Sequence, residues 1–501
     1  MKLRKYQLDA TTAVIQSAIG QVIAPTGTGK SVIQGAVFEQ QIRAMPGFGI
    51  YVVLTPRIML TNQLMRDVGN HLIKKSININ ALTIHSGEGV QFVEEDADDY
   101  TRWVYANTNN KATTNSAEAM IHIKDAQAAK KPLLICCTYD SVPALIRALR
   151  ELSIEAGRDI KAEQVVCDEA HYIVEKKFNK NITDLKPHTK RIHFFTATQK
   201  VTKGGQGNGM NNEDFYGKVV SRNTPLQMIE QGYMVRPRIH YEKVEPGASW
   251  AKIVQEAYIE HQKYVKYGAK MLVCTNGTKT IKKIVDTEEF MKWCKDESIT
   301  VFAVSSALGA RINGVEVKRN DFLKQLKEHK GKAIILHINI LTEGIDVPDI
   351  TGVMFARNMG LTRFLQSLGR ATRVLPADAG KATDEFDVNS ANWVKPYAWA
   401  IIAECIGDDD GITSDLRTVV EQMRLAGFEP LEEVVIAVDR GLKTSEPIKP
   451  CNMKATTSTT FSELFDIYHD IEEEKKAAIL AIARKKLAIM SNDDLLAAVP
   501  V

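Results

Sequence analysis

Cysteine is sparse and unpaired in this chain. Seven are scattered over 501 residues, at 136, 137, 167, 274, 294, 405 and 451, and no two form a CxxC. The odd count and the spacing exclude a disulfide framework or a zinc ribbon and fit a reducing compartment. Each cysteine reads as a small buried apolar residue. Apolar runs nowhere reach the ~18 residues of a membrane span. The start, MKLRKYQLDA, lacks the apolar stretch of a signal peptide. The expectation is a cytoplasmic protein with no membrane partner. Charge of one sign is missing too: 64 basic against 61 acidic residues leave +3. A polybasic tail and an acidic solvating chain are both excluded, so any nucleic-acid surface has to be a local patch.

What is present is a globular composition, 44% hydrophobic and 25% charged. At ~150 residues per domain, the length suggests about three domains. Short apolar runs fall at 20–25, 49–56, 132–139, 164–171 and 191–198, then at 269–276, 299–306, 332–339 and 351–358. Helical stretches separate them. Near-continuous apolar strands between helices specify a parallel sheet covered on both faces. Two series mean two α/β lobes, joined near 232–245 where Gly232 and Pro237 fall. The predicted division is 1–235, 236–425 and a small, mainly helical segment at 426–501, the last from amphipathic sequence at 462–497. The polar stretch 87–130 reads as an insertion in the first lobe, partly helical or mobile, and 203–214 as a flexible Gly/Asn-rich loop.

The first strand runs into Pro25-Thr26-Gly27-Thr28-Gly29-Lys30-Ser31 and then a helix. Strand, glycine-rich loop and helix are the context of a phosphate-binding loop. Gly27 and Gly29 permit the tight turn and expose backbone N–H groups, and the helix start adds its dipole. Lys30 suits the β- and γ-phosphates and Ser31 suits Mg²⁺. Ala24 stands where a first glycine is usual.

Another apolar strand delivers Asp168-Glu169-Ala170-His171. Active groups of open α/β sheets gather at the carboxyl ends of strands, so Asp168 faces the crevice of Lys30. A metal–phosphate centre needs one carboxylate for Mg²⁺ and one for water; Asp168 suits the first and Glu169 the second. Alone, the tetrapeptide is equally an acidic turn. His171 is either a packing histidine or a coupling group, and no partner at ligand spacing makes it a metal ligand. Near the end of the second series come Arg370 and Arg373, three apart and thus neighbours on one helix face. They are either solvated surface arginines or guanidinium groups aimed at a transferring phosphoryl.

Together these residues resemble a superfamily 2 helicase, or DExH-type translocase, over roughly residues 3–405. Leu3–Gln7 resembles the adenine-reading element, Ala24–Ser31 motif I, and Leu54–Arg57 with Gln63 motif Ia. Thr138–Ser141 is similar to motif Ib, Asp168–His171 to motif II and Thr196–Thr198 to motif III. Thr275-Asn276 falls where motif IV does; Thr342–Pro348 resembles motif V and Gln366–Arg373 motif VI. The order is the family's. Within the superfamily the Arg-x-Tyr-Gln start and QSLGRATR point to compact phage and bacterial DNA helicases of the UvsW, RecG and type III restriction kind.

The resemblance implies two tandem RecA-like lobes with parallel sheets, ATP and Mg²⁺ as cofactors, and DNA gripped by its backbone. It implies that Lys30, Asp168, Glu169, Gln366, Arg370 and Arg373 are catalytic. Gln7, Pro25, Thr26, Gly27, Thr28, Gly29, Lys30, Ser31, Gly344 and Asp346 would hold nucleotide, and Ser31 and Asp168 the metal. Thr55, Arg57, Thr138, Ser141, Thr275 and Thr342 would touch the strand; the same hydroxyls also suit helix capping. His171, Thr196 and Thr198 would couple hydrolysis to movement. The implied function is an ATP-dependent DNA helicase for branched or forked DNA in replication, recombination or repair, working with accessory proteins in a bacterial or phage-infected cell. An RNA or RNA–DNA helicase and the motor of a restriction or defence nuclease are the alternatives. For the nuclease, Glu316-Val317-Lys318 and Glu473-Glu474-Lys475 match a bare ExK, but both read as solvated faces.

Overall fold

A computed structural model describes residues 3–87, 110–202, 207–244, 249–263, 268–338, 349–357, 361–375, 393–405 and 431–434, with 265, 347, 359, 378 and 420. The helices expected at 462–497 lie outside these residues.

Among the described residues the strands form two sheets. The first is β1 Ile19–Ile23, β2 Ile50–Thr55, β3 Asn80–Ile84, β4 Asn110–Thr113, β5 Leu133–Thr138, β6 Gln164–Cys167, β7 Ile192–Thr196 and β8 Val219–Arg222. Its order is β4-β3-β5-β2-β6-β7-β1-β8, with every pairing parallel. The second is β9 Pro237–Val244, β10 Lys270–Thr275, β11 Thr300–Ser305, β12 Gly309–Ile312, β13 Val315–Val317, β14 Ala333–His337, β15 Gly352–Ala356, β16 Ala398–Cys405 and β17 Leu431–Val434. Its order is β13-β12-β11-β14-β10-β15-β16-β9-β17, parallel except for the β11–β12–β13 meander. The fold is α/β with two tandem RecA-like lobes, as the sequence implies.

The strands form where they do because successive side chains point to opposite faces and both faces are apolar. Val53, Cys136, Val166 and Phe195 share a core with Ala10, Phe38 and Leu64. Their neighbours Val52, Ile135, Val165 and Phe194 share another with Leu145, Leu149 and Ile182. The second sheet repeats the device, with Leu272, Ile335 and Val353 on one face and Met271, Ile334 and Met354 on the other. Cys136, Cys137, Cys167, Cys274 and Cys294 are buried free thiols, pushed up by burial. No helix of the described residues is long and apolar enough to cross a membrane.

Each of the nine apolar runs contains a strand. The edge strands have no such run. Residues 110–128, expected within a partly helical or mobile insertion, instead extend the first lobe's own sheet and its covering helices. β4 pairs with β3, and the helix Ser116–Ala128 buries Ala119, Ile123 and Ala126. A buried face made mostly of alanine carries little hydropathy signal. Residues 88–109 lie outside the described set. The tail of the Gly/Asn-rich loop is also tied down: Gln21 Nε2 donates to Met210 O at 2.9 Å, and Met210 is fully buried. Glu316 and Lys318 are exposed at the β13 edge, as their reading as a solvated face requires.

His193 on β7, His337 on β14 and His261 on the helix Trp250–Gln262 are fully buried. His193 bridges Ser17 Oγ at 2.9 Å and Gln164 Nε2 at 3.0 Å. His261 meets Thr351 Oγ1 at 2.7 Å, and His337 meets Cys274 Sγ at 3.3 Å. Burial pushes them down to about 4, 3 and 3. An unfolded histidine takes a proton near pH ~6.5, which these folded ones refuse. Their contribution is therefore complete above pH ~6.5 and is lost as pH falls, by up to about 1.4 kcal/mol per pH unit for each. The thermal midpoint should drop between pH 7 and 5; an unchanged or rising midpoint contradicts these burials.

Candidate functional site

β1 ends at Ile23, and Ala24 still belongs to the ladder, its N–H donating to Thr196 O at 3.0 Å. An extended residue there needs no glycine, which explains the alanine. Gly27 (φ +86°) and Gly29 (φ +84°) are left-handed, where a side chain is strained. Gly29 caps the helix Lys30–Ala44. Between them the Thr28 hydroxyl donates to Pro25 O at 2.7 Å. Lys30 Nζ folds back on Ala24 O at 3.3 Å. The chain start braces this loop. Tyr6 O–H and Gln7 Nε2 both donate to Thr28 O, the latter at 3.3 Å. Gln7 Oε1 accepts Arg4 N–H at 3.0 Å.

β6 delivers the carboxylates beside this loop. Asp168 is buried, its Oδ1 accepting from Gln34 Nε2 at 2.9 Å. Gln34 lies one turn along the loop's own helix and has no sequence signature of its own. Burial, then the Glu169 charge, push Asp168 up to about 7, against the pull of Lys30. Glu169 is left-handed at φ +49°, an uncommon backbone for a non-glycine residue. Its Oε2 stands 3.4 Å from His171 Nδ1. His171 Nδ1 in turn lies 3.1 Å from Thr196 Oγ1. The Thr196 hydroxyl donates to Thr198 O at 2.9 Å and accepts Thr198 N–H at 3.2 Å. The three expected coupling residues thus form one line from the carboxylate to the end of β7.

The second lobe presents the helix Leu361–Ala371 to the phosphate loop. A methyl group at Gly369 would stand 2.6 Å from Thr26 Cβ, and one at Gly27 would stand 3.0 Å from Arg373 Cγ. Gln366 and Arg370 are buried. Arg370 and Arg373 do not share a helix face as their spacing implied. The helix stops at Ala371, and Arg373 bridges antiparallel to Met234. Val235 N–H takes the Thr372 carbonyl at 2.8 Å, so the chain leaves the helix before Arg373. Thr26 Oγ1, Glu169 Oε2 and Gln366 Oε1 are buried with no hydrogen-bond partner among the described residues. The Thr26 hydroxyl can donate to a phosphate oxygen, and the two acceptors, Glu169 Oε2 and Gln366 Oε1, suit a water molecule or a cation beside it.

The expected strand contacts divide. Arg57, Thr138 and Ser141 line a cleft of about 540 Å³. Thr138 Oγ1 donates to Ser141 Oγ at 2.9 Å. Thr55 and Thr275 are fully buried instead. The Thr55 hydroxyl donates to Arg57 O at 3.2 Å and the Thr275 hydroxyl to His337 O at 3.1 Å, so both brace local backbone. Thr342, Gly344 and Asp346 lie outside the described residues. The sequence reading missed Arg319, Arg363 and His85, which line the same cleft. Arg363 had a signal, one turn ahead of Gln366 on the same helix; Arg319 had none, since only the tertiary fold carries its helix start to the cleft.

Residues 1–201 match the type III restriction enzyme res subunit family, and residues 252–375 match the helicase conserved C-terminal domain. A probable helicase of African swine fever virus is 24% identical over 333 residues, 61% of this chain and 34% of the viral protein. The chain therefore spans about a third of the length of that curated relative. In fold it is similar to the ATP-dependent type ISP restriction-modification enzyme LlaBIII bound to DNA. That likeness has a TM-score of 0.59 at 16% identity, over 85% of this chain and 30% of that one. It is also similar to S. cerevisiae Dbp5 bound to RNA and ADP BeF3, with a TM-score of 0.52 at 13% identity over 87% and 90% of the two chains.

The Gly369 contact is testable without any assay of activity. Gly369→Ala should destabilise the protein by about 1–3 kcal/mol in chemical denaturation, as overpacking does. Thr26→Gly in the same chain should recover part of the loss; additive losses contradict the contact.

Proposed function

The chain belongs to superfamily 2 of the helicases, and from that premise we propose that it is an ATP-hydrolysing motor that moves on or remodels branched or forked DNA. The observation that carries this reading is the seating of Gly369 and Arg373 on Thr26 and Gly27. It brings a guanidinium from one lobe to a phosphate loop on the other, the arrangement that phosphoryl transfer requires.

In this reading the N–H groups of Pro25–Ser31, except the proline's, wrap the ATP phosphates, with Lys30 on the outer ones. Gln7 reads adenine. Ser31 and Asp168 would hold Mg²⁺, which supplies positive charge to the phosphate oxygens. The Gln34 bond holds one Asp168 oxygen in place for that role. Glu169 orients the attacking water and accepts its proton. Gln366, Arg370 and Arg373 face the charge that develops as the bond to the leaving phosphate breaks. Gly344 and Asp346 complete the nucleotide site. The lobes are 1–235 and 236–425, followed by a C-terminal segment at 426–501.

DNA lies along the cleft of Arg57, Thr138 and Ser141, with Arg319 and Arg363 opposite. Hydroxyls and guanidinium groups suit backbone recognition without base readout, so binding weakens steeply with salt. The res-subunit match over residues 1–201 supports DNA as the polymer. It also supports a second reading, the motor part of a restriction or defence nuclease within a longer assembly. Roles in replication, recombination or repair, with accessory proteins, belong to the first reading.

The test is ATP hydrolysis with forked DNA, single-stranded DNA, duplex DNA and RNA. Stimulation should be strongest with forked or single-stranded DNA. Glu169→Gln should lower turnover by about 10²–10⁴-fold. Stimulation by RNA alone moves the polymer to RNA; no turnover with any polymer favours the nuclease-complex reading. Thr196→Ala with Thr198→Ala should keep most ATP hydrolysis and lose unwinding, because the pair sits on the line from Glu169 through His171. Parallel loss of both activities removes the coupling role.

A further inference from the structure

The segment that carries Arg373 ends a helix, so its carbonyls lack the next helical turn. Thr372 O is taken by Val235 N–H at 2.8 Å. The carbonyls on either side go to one side chain: Lys395 Nζ donates to Ala371 O at 2.8 Å and to Arg373 O, and also to Ile350 O at 3.1 Å. Lys395 is 1% exposed. A lysine that deep is rare unless its donors are paired, and three carbonyls match its three N–H bonds. A cation also complements the carbonyl end of a helix. The lysine is itself anchored, since the buried Asp378 carboxylate accepts Lys395 N–H at 2.9 Å and Val394 N–H at 2.8 Å. Burial pushes Lys395 down to about 7; Asp349 opposes this and the Arg373 charge adds to it.

We propose that Lys395 is the positioning residue for Arg373: its ammonium clamps the backbone on both sides of Thr372 and so fixes where the guanidinium stands over the phosphate loop. The proposal rests on the reading of Arg373 as a group that faces the reacting phosphate. It adds a residue that lies in none of the helicase motifs. Without the clamp, the Ala371–Arg373 backbone keeps its bonds to Met234 and Val235 and the bond from Thr372 N–H to Leu368 O, but the carbonyls on both sides of Thr372 lose the ammonium. The phosphate loop, which binds ATP, is untouched.

Lys395→Met keeps the stem and removes the donors. Single-turnover ATP hydrolysis and the KM for ATP are measured for it, for Arg373→Lys and for the double variant. The expected result is a loss of about 10–100-fold in kcat, as for a misplaced catalytic group, with KM changed less than about twofold. In the Arg373→Lys background Lys395→Met should add almost nothing, because its effect passes through that arginine. An equal further loss in that background, an unchanged kcat, or a loss that falls on KM each overturns the clamp. If thermal unfolding shows that Lys395→Met does not fold, Asp378→Asn loosens the same lysine and takes its place in the cycle, where the same results support or overturn the clamp. If Arg373→Lys and Glu169→Gln leave turnover intact, the motor reading fails; if they lower it and Lys395→Met does not, only the clamp fails.

Discussion

Two glycine contacts set how the lobes meet at the phosphate loop. Gly369 approaches Thr26, and Gly27 approaches Arg373, at distances that no added side-chain carbon would tolerate without a shift. Each glycine backbone lies against a side chain of the other lobe, an approach that an added side-chain carbon opposes. It decides that Arg373 leaves its helix over the loop rather than beside it. The chain then ties the arrangement down from outside the contact, through Val235 on Thr372 and Lys395 on the flanking carbonyls.

The same centre collects opposed charges in a confined space. Asp168 and Glu169 are neighbours, and burial with mutual repulsion raises Asp168 while Lys30 holds it down. Two carboxylates close together and poorly solvated form a site that a cation stabilises. The left-handed backbone of Glu169 turns its carboxylate toward His171, where the line to Thr196 and Thr198 begins. Placement at the carboxyl ends of β1, β6 and β7 follows from the parallel sheet, since all three strands point the same way.

A second line joins the phosphate loop to the arginine segment through the chain between the lobes. Tyr6 donates to Thr28 O and packs on Tyr233, ring centres 5.1 Å apart, while the Arg4 guanidinium lies 4.6 Å from the same ring. Met234 and Val235 follow and pair with Arg373 and Thr372. Packed and hydrogen-bonded groups thus run without a break from the loop through the connection to the arginine. The chain start and the connection between lobes are parts of one brace.

The two-lobe α/β plan and the phosphate loop are readable without the fold, because buried parallel strands and a strand–glycine–helix turn are local patterns. Asp168, Glu169, Gln366 and Arg370 stand out only jointly, since each short run alone reads equally as an acidic turn or a solvated face and the ordered set of runs is what makes them candidates. Residues 110–128 read as an insertion within the first lobe, because alanines make a buried face without a hydrophobic signal and so hide a strand and helix that belong to the sheet itself. Folding alone reveals that Arg373 leaves the helix, that Thr55 and Thr275 are buried braces, that Gln34 meets Asp168, that Arg319 lines the cleft and that Lys395 meets the carbonyls beside Thr372. Those facts depend on hydrogen bonds and approaches between segments tens to hundreds of residues apart, as from Gln34 to Asp168 and from Arg319 to Met59. No local pattern records which distant carbonyl, carboxylate or side chain a residue will meet.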